Sequence, residues 1–290
     1  MRSLGEAQKC WAQLDDFTTL DHVRTYIKEH GTAGPSLSGL RSVCWKAFLL
    51  FNSLDRDTWS STLQSSRTAY QSLREHLLKY IENPNEVETA VDPLSESEES
   101  PWVALRKDEE LRNEIYQDVE RCMPENLYFR QPSTSTMLLD ILFIFCKLSP
   151  DIGYKQGMHE ILAPILWVVE RDAVDCGEEH GNEDLAILMF DAKFVEHDCF
   201  TLFGLIMQGA RSFYEVPGAD AKPTAGLRSP KVSRSLDSPL IVRIKRVYED
   251  YLPLVDPRLA EHLSTGDVVP QLFMMKWLRL LFGREFPFDS

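Results

Sequence analysis

GYKQGMHE, residues 153–160, lies between two of the most apolar segments of the chain, residues 137–148 and 161–169. Glycines and polar residues between two apolar segments predict a tight, shaped loop between buried helices rather than a slack connector. Within this loop, Gln156 carries a neutral amide, which is a poor acid or base but can hold a water molecule by hydrogen bonds. The alternative is an ordinary helix–helix turn, so the function of the loop depends on what other segments bring to it.

The composition is typical of a soluble globular protein, with 290 residues, 43% hydrophobic and 26% charged. The net charge of -14 argues against a nucleic-acid partner and against direct adhesion to anionic lipid. No apolar run approaches the ~18 residues that a membrane span needs. The N-terminus has no signal-peptide pattern. We therefore expect a cytoplasmic protein with no direct membrane insertion, whose membrane contact comes through a partner.

Metal and cofactor chemistry find little support in the sequence. The six cysteines are scattered without metal-like spacing, which predicts free thiols in a reducing compartment. His159-Glu160 begins like the H-E-x-x-H zinc motif, but Ala163 occupies the place of the second histidine. His197-Asp198 offers a second pair, so a metal-dependent hydrolase stays open as an alternative. We expect no metal site and no cofactor of the protein's own.

Apolar residues recur at helical spacing throughout the chain, and no alternating β pattern is present. The pattern predicts an all-α fold of helices too uneven in length for a repeat array. Residues 1–30 are predicted to form N-terminal flanking helices, and residues 31–290 the main domain. Segments rich in proline, glycine and charge predict mobile insertions at about 82–101 and 216–237.

One predicted helix carries a carboxylate on its apolar stripe. Asp118 lies three residues after Ile115 and four before Cys122, so it faces the core and needs a donor nearby. Arg121 follows three residues later, where an exposed local pair would be worth about 0.3–0.5 kcal/mol. A surface ion pair is the simplest interpretation of these two residues.

No sequence motif gives this chain a nucleotide site of its own, because Walker A, G-x-G-x-x-G and G-x-S-x-G patterns are all missing from the sequence. The remaining enzymatic option is to complete the active site of another protein. An arginine donated in trans to a GTPase stabilises transition-state charge and is worth about 10³–10⁵ in rate, and a glutamine can orient the attacking water. Arg121 and Gln156 have the side chains for these two tasks.

Three motifs, in order, resemble the signatures of the TBC-domain Rab GTPase-activating proteins. Residues 41–45 resemble R-x-x-x-W, residues 115–121 resemble I-x-x-D-x-x-R, and residues 154–158 resemble Y-x-Q-G-M. The resemblance implies the irregular, multi-helix, all-α TBC fold. It also implies a GTPase activator rather than an enzyme with its own substrate turnover, with GTP and Mg²⁺ bound by the Rab partner.

The resemblance also implies roles for individual residues. Arg121 would be an arginine finger and Gln156 a glutamine finger, both supplied in trans to the Rab GTPase. Asp118 would orient Arg121. The further residues that would hold the fingers in register are Arg41, Trp45, Tyr154 and Gly157.

Residues 154–165, 196–198 and 279–287 are most similar to an endosomal, retromer-associated branch of the family. This similarity implies a role in endosomal membrane trafficking, peripheral recruitment to endosomal membranes, a late-endosomal Rab substrate, and retromer as a further partner anchored by Leu94. A non-catalytic scaffold that binds retromer or Rab proteins is the alternative function. The family domain continues past R-E-F at 284–286, so the C-terminal lobe is expected to be incomplete in this chain.

Overall fold

Every regular element over the described part of the chain is a helix, and one isolated β-bridge joins Val174 to Asp191. The all-α prediction is confirmed. None of the described helices combines the length and the apolar character that crossing a bilayer requires. The computed structural model describes residues 2–31, 37, 39–86, 100–176, 184–214 and 238–287.

The chain divides into two compact units, residues 1–206 with 286–290 and residues 207–285. π-type turns continue α3 (Arg41–Lys46) through Ala47–Phe51 and link α10 (Pro239–Lys245) to α11 (Leu252–Val255) through Arg246–Tyr251. Among the described residues, nine α-helices begin within residues 1–206, and the boundary between the units falls inside the ninth. They are α1 (Leu4–Gln13), α2 (Leu20–His30), α3 (Arg41–Lys46), α4 (Trp59–Glu82), α5 (Pro101–Glu120), α6 (Pro132–Leu148), α7 (Met158–Asp172), α8 (Leu185–Phe190) and α9 (Val195–Ala210). The later helices are α10 (Pro239–Lys245), α11 (Leu252–Val255), α12 (Pro257–Thr265) and α13 (Gln271–Arg279).

The predicted N-terminal flanking helices share a core with the first unit. Trp11 of α1 packs edge-on against Trp59 of α4 and Phe190 of α8, with ring centroids 6.2 and 6.1 Å apart. Phe51 stacks on the same Trp59 ring at 4.5 Å. These large aromatic contacts bury α1 against elements far along the chain.

Most of the two predicted insertions lies outside the described residues. Glu82 is the last residue of α4, Pro84–Glu86 forms a short 3-10 turn, and Pro101 begins α5, so the ends of the first segment are helical. A proline suits the first turn of a helix because its missing N–H would have no partner there. Residues 87–99, which include Leu94, and all of 216–237 are outside the described residues.

Helices α4, α5 and α6 are joined by a buried carboxylate. Asp140 of α6 forms ion pairs with Arg112 of α5 at 2.8 Å and with Arg74 of α4 at 3.3 Å. Burying a carboxylate is unfavourable unless it is paired, and two guanidinium groups meet that requirement here. This network fixes α5 against α6, and the end of α5 carries Asp118 and Arg121.

The second unit has a small core of its own around Leu240, Ile244 and Met274. Side-chain caps begin both α10 and α12. Ser238 Oγ accepts a hydrogen bond from Ile241 N–H, and Asp256 Oδ1 accepts one from Leu259 N–H. These caps set where the two helices begin.

Candidate functional site

The end of α5 separates a buried carboxylate from an exposed guanidinium. Ile115, Asp118 and Val119 lie on the buried face of the helix. Arg121 is the C-cap residue, and its Nη2 donates to Asp118 Oδ1. The Asp118 side chain is only 6% exposed, whereas the Arg121 side chain is 63% exposed. The pair is therefore not an ordinary surface ion pair, since its carboxylate belongs to the core.

The chain turns inward directly after Arg121. Cys122 and Met123 are buried, and Met123 has a left-handed φ of 41°. Arg130 Nη1 donates to the carbonyl oxygen of Glu120, and its Nη2 lies 3.5 Å from that of Cys122. The last carbonyl groups of a helix have no hydrogen-bond donor inside the helix, and the Arg130 guanidinium donates to them here. The inward turn leaves Arg121 projecting from the helix end.

The loop before α7 has the tight geometry that its glycines predict. Gly153 has φ 60° and donates its N–H to Ser149 O at 2.9 Å. Gly157 has φ 101°, a conformation that side chains with a Cβ rarely adopt, and it directly precedes α7. Between these glycines, Tyr154 is buried and Gln156 is exposed. The loop therefore directs its phenol inward and its amide outward.

Tyr154 connects this loop to α5. Its hydroxyl donates to Asp118 Oδ2 at 2.8 Å, while Arg121 occupies Oδ1. Burial, together with the hydrogen bond and negative charge of Asp118, raises the pKa of Tyr154 well above its usual value. The phenol therefore keeps its proton and acts as a donor.

The two predicted finger residues lie on the two segments that the hydrogen bond from Tyr154 to Asp118 joins. Arg121 is bound to Asp118, Asp118 is bound to Tyr154, and Gln156 follows two residues later. Two residues of chain span at most ~7 Å between Cα atoms. The structure thus brings together five of the eight sequence-predicted residues in one cluster: hydrogen bonds join Asp118, Arg121 and Tyr154, and Gln156 and Gly157 follow in the same loop.

Arg41 and Trp45 lie on a different element. They stack on one face of α3, with the guanidinium carbon 5.9 Å from the indole centroid. A hydrogen bond of 2.8 Å from Ser42 N–H to Asp172 Oδ2 ties α3 to the last residue of α7. That end of α7 is about 21 Å along the helix axis from Met158. The contact of α3 with Asp172 thus braces the end of α7 that is remote from the loop.

Sequence reasoning missed two residues of the cluster. His159 Nδ1 lies 3.2 Å from Tyr154 Oη and 3.6 Å from Asp118 Oδ2. Its sequence signal is its place within the 153–160 segment, but the His-Glu pattern there suggests only a metal ligand. Arg130 was missed because its partners are backbone carbonyls, which a sequence motif does not display.

The two histidine pairs considered as metal ligands lie in different surroundings. His159 faces Tyr154 and Asp118, whereas His197 Nε2 lies 3.1 Å from Gln71 Oε1. Asp198 is bound by Lys46 and Arg67, which would repel a metal cation. Over the described ranges, no group of three or more His, Cys, Asp or Glu side chains is placed to hold a metal ion.

A cleft of about 700 Å³ opens between α4 and the segment around α8 and α9. Arg67, Phe194 and His197 are among its lining residues, whereas the predicted finger residues Arg121 and Gln156 are not. The Arg121 cluster instead presents projecting side chains. Such an arrangement can act inside another protein's pocket, where a projecting cation and an amide reach a bound ligand.

Comparison with known proteins identifies the family of this chain. The Rab-GTPase-TBC domain model matches residues 38–222 and 229–290. TBC1 domain family member 5 of Homo sapiens is 32% identical over 298 residues, covering 98% of this chain and 37% of that protein. Its Mus musculus counterpart is 31% identical over 297 residues, covering 97% of this chain and 36% of that protein.

A solved structure supports the fold. The crystal structure of the Ypt/Rab-GAP domain of Gyp1p matches with a TM-score of 0.57 and 17% identity, covering 86% of this chain and 66% of that one. At this identity the likeness concerns the fold alone. The present chain spans little more than a third of the length of its human and mouse relatives. On the match of the family model and these relatives, the chain belongs to the Rab-GTPase-TBC domain family.

Proposed function

We propose that this chain accelerates GTP hydrolysis on a Rab GTPase by supplying Arg121 and Gln156 in trans. The observation that carries the proposal is an exposed guanidinium anchored on a buried carboxylate, together with an exposed amide in the loop whose Tyr154 binds the same carboxylate. In the proposed complex, GTP and Mg²⁺ are bound by the Rab partner. This chain then acts as a GTPase activator and turns over no substrate of its own.

Each finger has a distinct chemical task. The Arg121 guanidinium would stabilise the negative charge that develops on the transferred phosphoryl group, an effect worth about 10³–10⁵ in rate for such arginines. The Gln156 amide would orient the attacking water, since it can both donate and accept hydrogen bonds. Asp118 holds Arg121 at one oxygen and Tyr154 at the other, which keeps both fingers in register before the partner arrives.

A panel of Rab GTPases tests the proposal. The wild-type chain should accelerate GTP hydrolysis by at least one Rab protein, and the double variant Arg121→Ala with Gln156→Ala should not. Arg24→Ala is a matched control, because Arg24 forms the same i,i+3 pair with Asp21 on an exposed surface. Stimulation that survives in the double variant would rule the mechanism out.

The finer part of the proposal concerns place and partners. We propose an endosomal site of action, peripheral recruitment, a late-endosomal Rab substrate and retromer as a second partner with Leu94 as anchor, on the resemblance of residues 154–165, 196–198 and 279–287 to the endosomal branch of the family. Capture of purified retromer by the wild-type chain, lost on Leu94→Ala, would support the anchor. Equal capture by wild type and Leu94→Ala would exclude Leu94 as the anchor. Preference for a Rab protein of another compartment would contradict the late-endosomal assignment.

A further inference from the structure

His159 sits in the first turn of α7, buried against the residues that hold the proposed fingers. Its side chain is 5% exposed, and its Nδ1 lies 3.2 Å from Tyr154 Oη and 3.6 Å from Asp118 Oδ2. Glu160 Oε1 lies 3.9 Å from the opposite ring nitrogen, Nε2. The imidazole therefore presents Nδ1 to two oxygen atoms of the cluster.

The direction of these hydrogen bonds follows from the number of protons available. Tyr154 has a single hydroxyl proton, which it donates to Asp118 Oδ2. The carboxylate offers only lone pairs, and the remaining capacity of the Tyr154 oxygen is as an acceptor. A lone pair on Nδ1 would therefore face a lone pair of the Tyr154 oxygen, which is unfavourable. Nδ1 therefore carries a proton and donates it to Tyr154 Oη.

We propose that His159 is a positioning residue for both fingers. Its Nδ1–H fixes the hydroxyl of Tyr154, which fixes Asp118, which in turn holds the guanidinium of Arg121. The same residue belongs to the helix that begins directly after Gln156 and Gly157. His159 thus joins the loop that carries one finger to the helix that carries the other. This inference rests on the proposed function.

A buried histidine can also simply fill space in a core. The two roles make different demands, since packing requires the volume of the ring and positioning requires a donor at Nδ1. Asparagine carries its amide nitrogen on Cγ, as histidine carries Nδ1, so it can place a donor at the same position. Glutamine extends its amide one bond further, towards the position of Nε2. Leucine keeps apolar volume and supplies no donor.

These three variants, with wild type, separate the roles in Rab-stimulated GTP hydrolysis. We expect His159→Leu to lower the kcat by about 100-fold, the effect of misplacing a reacting group, with little change in KM. His159→Asn should recover most of the kcat, and His159→Gln should not. Where His159→Leu does not fold, the Asn and Gln variants alone decide. Equal kcat values for Asn and Gln, or a change confined to KM, would overturn the proposal.

A second readout does not depend on any Rab protein. The ¹⁵N spectrum of the imidazole in the free chain should show a protonated Nδ1, and Tyr154→Phe should shift its signal. An Nδ1 without a proton would overturn the hydrogen-bond chain. If wild type stimulates no Rab while Nδ1 is protonated, the GTPase-activating function fails and the positioning of the cluster stands. If wild type is active and His159→Leu keeps its kcat, only the role of His159 fails.

Discussion

Two buried aspartates of the first unit hold arginines in opposite ways. Asp198 accepts from Arg67 Nε and Nη2 at 2.8 Å and from Lys46 Nζ at 2.6 Å, and all three side chains are at most 4% exposed. Asp118 is 6% exposed as well, but its arginine, Arg121, is 63% exposed. The anions are alike in burial, and only the second holds a cation that reaches solvent.

The difference shows what each pair can do. Burial acts to raise the pKa of Asp198, yet Lys46 and Arg67 hold it below its usual value. Arg67 also donates to the carbonyl oxygen of Leu188, so the Asp198 cluster joins elements inside the core. In the Asp118 cluster the buried anion instead binds a guanidinium that is exposed to solvent. We call Asp198 with its buried cations the closed pair and Asp118 with Arg121 the open pair. The closed pair stabilises the fold, whereas the open pair presents a charge to solvent.

The largest effect is expected when the open pair is broken. Arg121→Ala should lower the Rab-stimulated kcat by about 10³–10⁵-fold, because the transition-state charge loses its cation. The free energy of unfolding should fall by less than the about 3–5 kcal/mol expected for a fully buried pair, because Asp118 keeps its hydrogen bond from Tyr154. Single-turnover GTP hydrolysis and thermal melts measure the two quantities, with Arg24→Ala as control. A large loss of stability with full activity would reverse the roles of the two pairs.

Breaking the closed pair at Asp198 should instead lower the stability of the fold and leave the activity unchanged. Asp198→Asn leaves Lys46 and Arg67 buried without their anion, so we expect the free energy of unfolding to fall by about 3–5 kcal/mol. Urea denaturation measures this change. The fraction that remains folded should keep the wild-type kcat. Asp21→Asn removes an aspartate whose side chain is 88% exposed and is the matched control. Equal urea midpoints for Asp198→Asn and Asp21→Asn would contradict the structural role of Asp198.

Removing the amide of Gln156, the second proposed finger, tests the site around the open pair further. Gln156→Ala should lower the kcat by about 100-fold, since the attacking water loses its orientation. The melting temperature should not change, because the side chain is exposed. Gln64→Ala, at an exposed position of α4, is the control. An unchanged kcat for Gln156→Ala would leave Arg121 as the sole finger.

The smallest expected effect is the acid dependence of the closed pair. Because the folded pKa of Asp198 is lowered, the native state binds fewer protons than the unfolded state near the ordinary aspartate value of about 3.9. This contribution is complete above that value and is lost as the pH falls through the lower, folded value. The gap in urea midpoint between wild type and Asp198→Asn should therefore narrow below about pH 4. A constant gap would show that the Asp198 charge does not contribute.

The sequence alone determined the helical class of the fold, the glycine-shaped loop and the spacing of Asp118 and Arg121. These features are local, because helical periodicity and the φ demanded of Gly157 act within a few residues. The sequence also indicated that Asp118 needs a donor, since it interrupts an apolar stripe. It proposed Arg121 as that donor, and the pair forms.

Only the tertiary structure decided which charges are enclosed and which project. Tyr154 reaches Asp118 across 36 positions of sequence, and Arg67 reaches Asp198 across 131. Such partners depend on how helices pack, and local periodicity carries no information about packing between distant segments. For the same reason the sequence could not show that Asp118 keeps an exposed cation while Asp198 keeps only buried ones.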